Sequence, residues 1–171
     1  MLLPHVPMTD PVSLRPAKPN EIDALTDICL RSKAHWGYDV AFMEKSRDAL
    51  TIKPERVQSG DVVVAELHGR PAGVAAIAPD EDGYEIEVFF VDPNAMGKGV
   101  GAHLFQALVS LAAKRGITQL TIASDPNAAA FYEKMGARPI GSVPSESMPG
   151  RRLPLLKVDI AKALQSNARK V

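Results

Sequence analysis

Apolar residues recur along this chain with two different periods, one typical of helices and one typical of strands. Between 101 and 116 they recur at helical spacing, which predicts an amphipathic helix that ends at Gly116. Elsewhere they form short runs rich in β-branched and aromatic residues, of which 83–93 is the clearest strand candidate. The predicted helices are 20–35, 39–50, 101–116 and 125–136, and the predicted strands are 12–17, 61–67, 71–79, 83–93, 118–124, 137–143 and 152–160.

The order of these elements predicts a mixed α/β fold. Along the chain it reads β-α-α-β-β-β-α-β-α-β-β, so only some strands are followed by a helix. Such an order is typical of an α+β mixed sheet with helices on its faces rather than a doubly wound parallel sheet. A chain of 171 residues is expected to form one domain. We place that domain at 12–160, between an N-terminal arm at 1–11 and a C-terminal tail at 161–171.

Charge and composition argue against several classes of function. Twenty Lys and Arg residues balance twenty Asp and Glu residues, so we expect neither nucleic-acid binding nor attachment to a membrane surface. The opening segment 1–11 has no basic region of a signal peptide and no membrane-spanning run. The single cysteine, Cys29, can form no internal disulfide, and we expect a cytoplasmic location. The four histidines are scattered without a metal-ligand spacing, so we expect no metal.

A glycine-rich loop connects the clearest strand to the helix that follows it. Gly97, Gly99 and Gly101 occupy alternate positions, and a tight turn rarely needs so many glycines. Glycines leave backbone N–H groups open to a bound anion, and the N-terminus of a helix favours an anion as well. The loop also satisfies the dinucleotide pattern G-x-G-x-x-G/A, but 92–96 separates the strand from the glycines and the next strand has no acidic residue for a ribose. We therefore predict a pyrophosphate site, to which Lys98 adds a charge.

The segment VDPNAMGKGVGAHLF, which contains this loop, resembles the coenzyme A-binding segment of the GNAT superfamily of N-acetyltransferases. In that family's pattern Q/R-x-x-G-x-G/A, Gly99 and Gly101 fill the glycine places, and Met96 stands where Gln or Arg is usual. The segment SDPNAAAFYEKMGA, at 124–137, resembles a second family segment, in which an asparagine precedes a helix that carries a tyrosine. Both segments lie at the family's spacing, and the resemblance covers about 12–160. It implies the GNAT acyl-CoA N-acyltransferase fold, with acetyl-CoA as co-substrate.

The resemblance also implies where the coenzyme binds. In the family, the strand before the loop splays from its neighbour, and the pantetheine arm pairs with the exposed backbone edge. Tyr132 matches the tyrosine that protonates the leaving thiolate, and a phenol with a pKa of about 10 is protonated at neutral pH. Packing in the core beside Phe131 is the alternative role for Tyr132. The implied coenzyme-binding residues are Phe89, Phe90, Val91, Met96, Gly97, Lys98, Gly99, Val100, Gly101, Ala102 and Asn127.

Other residues are candidates for activating and holding the acceptor amine. Glu85 and Glu87 lie one strand repeat apart and so point to one face. The family often has a glutamate on this strand as general base, and spacing from the loop favours Glu85; an acidic hairpin face is the alternative. The resemblance implies that the junction of the first two helices lies over the acceptor site, with the loop before the last strand as the opposite wall. Aromatic rings at the junction are expected to hold a cationic amine or an apolar side chain. Arg151 and Arg152 in the loop are expected to grip a carboxylate or phosphate. The alternative for the aromatic residues is a hydrophobic plug that closes the helix pair. The alternative for the arginines is a solvated charge at the turn into the strand. The candidate acceptor residues are His35, Trp36, Tyr38 and Arg151.

The predicted activity is transfer of an acetyl group from acetyl-CoA to a primary amine, by direct attack within a ternary complex. A non-catalytic acyl-CoA-binding sensor is the alternative, and Tyr132 favours the enzyme because a sensor needs no acid beside the sulfur. A nucleotide-dependent oxidoreductase is disfavoured by the long segment before the glycines. The acceptor stays open among amino acids, polyamines, antibiotics and protein N-termini, and the family suggests a homodimer.

Overall fold

The chain is built around a seven-stranded sheet. The computed structural model describes residues 12–168, so the N-terminal arm expected at 1–11 and the end of the expected tail lie outside the described residues. The strands are β1 (Ser13–Pro16), β2 (Val62–Leu67), β3 (Arg70–Asp80), β4 (Gly83–Val91), β5 (Gln119–Ala123), β6 (Arg138–Pro144) and β7 (Arg152–Asp159). The helices are α1 (Ile22–Ala34), α2 (Val40–Leu50), α3 (Pro54–Gln58), α4 (Val100–Lys114), α5 (Ala129–Lys134) and α6 (Ile160–Ala168). Single 3₁₀ turns cover Pro19–Glu21 and Pro93–Ala95.

The sheet is mixed, which confirms the fold class that the order of elements predicts. The strands lie in the order β1-β2-β3-β4-β5-β7-β6. β4 and β5 are parallel, and the other neighbouring pairs are antiparallel. A parallel pair requires a crossover, and α4 provides it between β4 and β5.

β4 and β5 diverge along their length. Within the described chain one register pair joins them, Glu85 with Thr121, whereas β3 pairs with β4 as far as Val91. The outer edge of β4 beyond Glu85 therefore carries backbone groups without a strand partner, as the resemblance implies. This opening positions the site described below.

Two apolar clusters cover the two faces of the sheet. α4 packs on one face through residues such as Leu104 and Leu108, and α1 packs on the other through Leu25 and Cys29. Cys29 is fully buried, and burial raises the pKa of its thiol to about 12. The thiol is therefore a protonated core group rather than a nucleophile.

Three helices differ from the predicted ones. α3 was not predicted, because five residues are too few to show a periodic pattern. α5 begins at Ala129 rather than at Asp125, because the Asp125 carboxylate accepts the backbone N–H of Asn127 at 2.8 Å and the residues between form a turn. The segment 161–171 was expected as a tail, but its first part belongs to helix α6. This helix begins at the buried Ile160 and packs against α4.

Candidate active site

A cleft of about 640 Å³ opens where β4 and β5 diverge. Its walls come from β4, the glycine loop, the first turn of α4, the β5–α5 turn, the helices α1, α2 and α5, and the β6–β7 loop. The cleft thus collects elements from most of the chain. The predicted site residues that line it are Trp36, Glu87, Phe89, Phe90, Val91, Met96, Gly97, Gly99, Val100, Gly101, Ala102, Asn127, Tyr132 and Arg151.

The glycine loop has a backbone conformation that side chains disfavour. Gly97 and Gly99 have φ angles of 78° and 82°, in the left-handed region. Gly101 is small for a different reason, because a Cβ there would lie 3.2 Å from the ring of Phe131. The glycines therefore serve both the path of the loop and the close approach of α4 to α5.

Backbone donors of α4 point out of the helix at this loop. The first helical hydrogen bond runs from the N–H of His103 to the carbonyl of Gly99, at 3.2 Å. The N–H groups of Val100, Gly101 and Ala102 precede that bond and have no acceptor within the helix. Together with the positive end of the helix, these donors fit a phosphate group. The side chain of Lys98, predicted to add charge, is exposed and lies outside the cleft lining.

The edge of β4 next to the loop is suited to an extended ligand. Phe89, Phe90 and Val91 line the cleft, and β5 does not pair with them. The side chains of Phe89 and Val91 pack against the cluster under α4, and Phe90 packs against the cluster under α1. The side chains thus contribute to packing, while the backbone edge is free to form hydrogen bonds with a bound extended ligand.

Tyr132 reaches the cleft from α5. Its ring is 5% exposed and lies 5.5 Å from the ring of Phe89 and 5.4 Å from that of Phe131. Within the described residues its hydroxyl has no hydrogen-bond partner. Burial, with a smaller contribution from the charge of Asp125, raises the pKa of the phenol well above its ordinary value. Tyr132 is therefore a protonated donor at the cleft, and it also packs in the core.

A β-bulge brings Glu87 to the cleft. Ile86 and Val88 pair with consecutive residues of β3, so Glu87 is the extra residue between them. The Glu87 carboxylate lies 3.4 Å from Arg56 and 3.9 Å from Lys53. Glu87 therefore lines the cleft as an ion-paired side chain.

Glu85, which spacing from the loop favours as the base, lies outside the cleft lining. It pairs with Ala78, nearer the β3–β4 turn. Burial raises the pKa of the Glu85 carboxyl, and the negative charges of Asp80 and Glu87 raise it further. A raised pKa makes the Glu85 carboxylate a stronger base, but the bulge turns Glu87 rather than Glu85 toward the cleft.

A polar network ties the junction of α1 and α2 to the far side of the cleft. The hydroxyl of Tyr38 donates to Asp125 at 2.9 Å and accepts from Arg151 at 2.8 Å. Lys33 also donates to Asp125, and the side-chain amide of Asn127 donates to the Asp125 carboxylate at 2.9 Å. Burial alone would raise the pKa of the Asp125 carboxyl, but hydrogen bonds from Lys33 and the Asn127 backbone outweigh it and lower that pKa.

The structure separates the residues expected at the acceptor site. Trp36 and Arg151 line the cleft, and Trp36 is 46% exposed. Tyr38 does not line it, because its hydroxyl is committed to the network and its ring stacks on Phe42, with centroids 4.0 Å apart. His35 is exposed and contacts Trp36 edge to face at 5.5 Å, also outside the lining.

Several residues that line the cleft were not predicted as site residues, and three of them are polar groups that matter below. Lys33, Ser46 and Asp125 all line the cleft. Asp125 precedes Asn127 within the family-like segment, so a signal for it existed. Lys33 and Ser46 carry no such signal, because a helical pattern predicts which face is buried and not what that face meets.

Comparison with known proteins agrees with this geometry. A profile of the Acetyltransferase (GNAT) family matches residues 25–137, while no curated protein sequence matches the chain. Among solved structures, a GCN5-related N-acetyltransferase from Rhodopseudomonas palustris is 27% identical, with a TM-score of 0.70 over 86% of this chain and 94% of that one. The PaiA N-acetyltransferase from Thermoplasma acidophilum, in complex with coenzyme A, is 16% identical, with a TM-score of 0.69 over 87% and 99%. A ribosomal-protein-alanine N-acetyltransferase from Brucella melitensis is 23% identical, with a TM-score of 0.64 over 86% and 99%.

The chain belongs to the GNAT acetyltransferase family, because the family match spans more than half of it. It is therefore an acetyl-CoA-dependent acyltransferase, and the prediction of an enzyme is confirmed. Within residues 12–168, no helix is long and apolar enough to cross a membrane. In the same part of the chain, no three His, Cys, Asp or Glu side chains gather as metal ligands.

Proposed function

We propose that this enzyme transfers the acetyl group of acetyl-CoA to the primary amine of a small molecule or peptide, by direct attack within a ternary complex. The observation that carries the proposal is one continuous cleft that holds the glycine loop, the free edge of β4 and Tyr132. A peptide amine stays among the candidates because one structural relative is a ribosomal-protein-alanine N-acetyltransferase.

The cleft residues fit the coenzyme along its length. The free N–H groups at the start of α4 would hold the pyrophosphate. The backbone of Phe89, Phe90 and Val91 would pair with the pantetheine amides. Asn127 lines the cleft through a side chain whose amide nitrogen is bonded to Asp125, which leaves its carbonyl oxygen as an acceptor. When bound, acetyl-CoA supplies an activated acyl group and a sulfur leaving group.

We assign the proton transfers to two side chains. In the overall reaction the amide C–N bond forms as the thioester C–S bond breaks, so the amine nitrogen loses a proton and the sulfur gains one. Glu87 is the proposed acceptor of the amine proton, directly or through water, because it is the strand glutamate that lines the cleft. Tyr132 is the proposed proton donor to the sulfur. Its phenol is protonated, and its hydroxyl forms no hydrogen bond with a described residue.

Direct attack is favoured because the cleft offers no activated nucleophile. Its lining contains no cysteine and no histidine among the described residues. Cys29 is buried in the core with its thiol protonated. Serines in the lining therefore lack the base that a covalent acyl-enzyme would require. A cytoplasmic location and a homodimer stay predictions.

Steady-state kinetics with a panel of amines tests the proposal. Free thiol release is measured while acetyl-CoA and amine concentrations are varied together. Intersecting double-reciprocal lines are expected for a ternary complex. Parallel lines would indicate a covalent acyl-enzyme, and failure to bind coenzyme A in a calorimetric titration would overturn the assignment of the cleft.

A further inference from the structure

The wall of the cleft built by α1 and the β6–β7 loop carries an unbalanced positive charge. Lys33, Asp125 and Arg151 line it, with side chains 13%, 10% and 22% exposed. Two cations thus meet one anion in a partly buried setting. Because a charge removed from water is costly unless it is paired, this wall suits an occupant that carries a negative charge.

Two other carboxylates near the cleft are paired with cations of their own. Glu87 pairs with Arg56 and Lys53, and Asp92 pairs with Arg31 at 2.8 Å. In the described part of the chain, Asp125 alone forms ion pairs with Lys33 and Arg151. Among the described residues, no second carboxylate therefore pairs with Lys33 or Arg151.

Arg151 is held in place and has donors to spare. One guanidinium nitrogen donates to Tyr38 at 2.8 Å and lies 3.8 Å from Asp125, which is too far for a hydrogen bond. The group lies 5.2 Å from the ring of Tyr38 and 5.0 Å from that of Phe42. A guanidinium has five N–H donors in a planar fork that matches a carboxylate, so Arg151 retains the geometry for one.

Ser46 is a further polar residue in the lining of the cleft. It lies on α2, is 3% exposed, and has a hydroxyl without a hydrogen-bond partner in the described structure. Buried polar groups normally have partners, so a bound molecule is expected to supply one. Ala49 and Leu50 lie beside it in the lining, which leaves room for apolar contacts as well.

We propose that the acceptor is a free amino acid, or a similarly small amine with a carboxylate, and that Arg151 and Lys33 bind the carboxylate. The inference rests on the proposed acetyl transfer and names its substrate class. With the carboxylate at this wall, the amine is directed to the remainder of the cleft, where Glu87 lies. A polycation would meet like charge here, and a neutral amine would leave Arg151 without its partner.

The test measures binding of reaction products as well as turnover. Coenzyme A is titrated first by calorimetry, which checks the proposed function separately. The coenzyme-loaded protein is then titrated with N-acetylglycine, N-acetylleucine and N-acetylmethionine, and with the matching carboxamides. We expect the carboxylates to bind about 10- to 100-fold more tightly, as a charge-assisted pair of hydrogen bonds implies. Thiol release with the free amino acids and their amides should show the same preference.

Two variants locate the effect. Arg151→Gln should reduce the preference for carboxylate to about 3-fold or less, and Arg151→Lys should restore part of it. Arg152→Gln is the matched control, because Arg152 bonds to Ser142 across the β6–β7 pair and lies outside the cleft lining. If coenzyme A binds but the amides bind as well as the carboxylates, or none of the six binds, the inference is wrong. It is equally wrong if Arg151→Gln weakens coenzyme A binding and leaves the preference intact.

Discussion

Replacement of Tyr132 by Phe separates catalysis from packing in this cleft. The phenol ring packs between Phe89 and Phe131, and those contacts persist in a phenylalanine. The hydroxyl has no hydrogen bond to a described residue, so its removal leaves no buried group without a partner. We therefore expect the free energy of unfolding at pH 7 to change by less than about 0.5 kcal/mol.

The same substitution should reduce turnover strongly. A general acid typically contributes about 10²–10⁴-fold to rate, so kcat should fall by at least about 10²-fold while the affinity for coenzyme A changes less than about 2-fold. Because burial raises the pKa of Tyr132, its proton is available past pH 10, and the wild-type kcat should show no loss of this acid below that pH. The assay is thiol release across pH, together with calorimetric titration of coenzyme A.

The raised pKa also predicts how stability depends on pH. A phenol whose pKa is higher in the folded state favours folding below the unfolded pKa of about 10, and this contribution is lost as pH rises toward the folded pKa. Tyr132 should therefore reduce the free energy of unfolding by about 1.4 kcal/mol per pH unit above pH 10. Tyr132→Phe should be less sensitive to alkali by that amount. The pKa of Tyr38 is also raised, and its contribution is the same in both proteins.

Three outcomes would refute this reasoning. Wild-type turnover in Tyr132→Phe would make the residue structural and leave solvent as the proton donor. Equal alkaline unfolding curves for the two proteins, followed by circular dichroism, would show that the phenol is not buried as described. A large loss of stability at pH 7 would reveal a hydrogen-bond partner for the hydroxyl.

Three further predictions concern the other parts of the cleft. Ala102→Glu should weaken coenzyme A binding about 100-fold or more, because two like charges about 5 Å apart repel by about 3 kcal/mol at an effective dielectric of ~20. Ala102→Gln controls for the size of the side chain in the same calorimetric titration. Equal affinities of the two variants would contradict a phosphate at the start of this helix. Glu87→Gln should lower kcat at least about 10-fold with little change in the coenzyme KM, whereas Glu81→Gln in the hairpin turn should not; a wild-type kcat would leave Glu85 or solvent as the base. Trp36→Ala should raise the acceptor KM about 5-fold, as one lost ring contact of about 1 kcal/mol implies, and an unchanged acceptor KM would exclude this ring from the acceptor site.

The sequence by itself determined the order of the seven strands and the class of sheet, and it predicted the part of the cleft that we propose for the coenzyme. These depend on local chemistry. A strand shows its period within a few residues, and the glycine loop and the helix after it are contiguous, so the donors at Val100, Gly101 and Ala102 follow from where the helix begins. The resemblance to the GNAT segments also singled out Tyr132, which the structure brings to the same cleft.

Only the tertiary structure decided which side chains line the part of the cleft that we propose for the acceptor. Strand alternation predicts one face for both glutamates of β4, but a bulge opposite β3 turns Glu87 into the cleft. α5 begins late because the Asp125 carboxylate accepts a hydrogen bond from the backbone of Asn127 in the turn before the helix. The bulge depends on pairing with β3, whereas the late start of α5 comes from a hydrogen bond within its own turn.

The wall of the cleft built by α1 and the β6–β7 loop shows most clearly why sequence patterns could not predict these side chains. Lys33 meets Asp125 across 92 residues of chain, and Arg151 meets Tyr38 across 113. Periodicity assigns each of these side chains to a face of its own element, and it carries no information on which distant element covers that face. The unbalanced charge of this wall arises when the fold brings those elements together, so the tertiary structure alone reveals it.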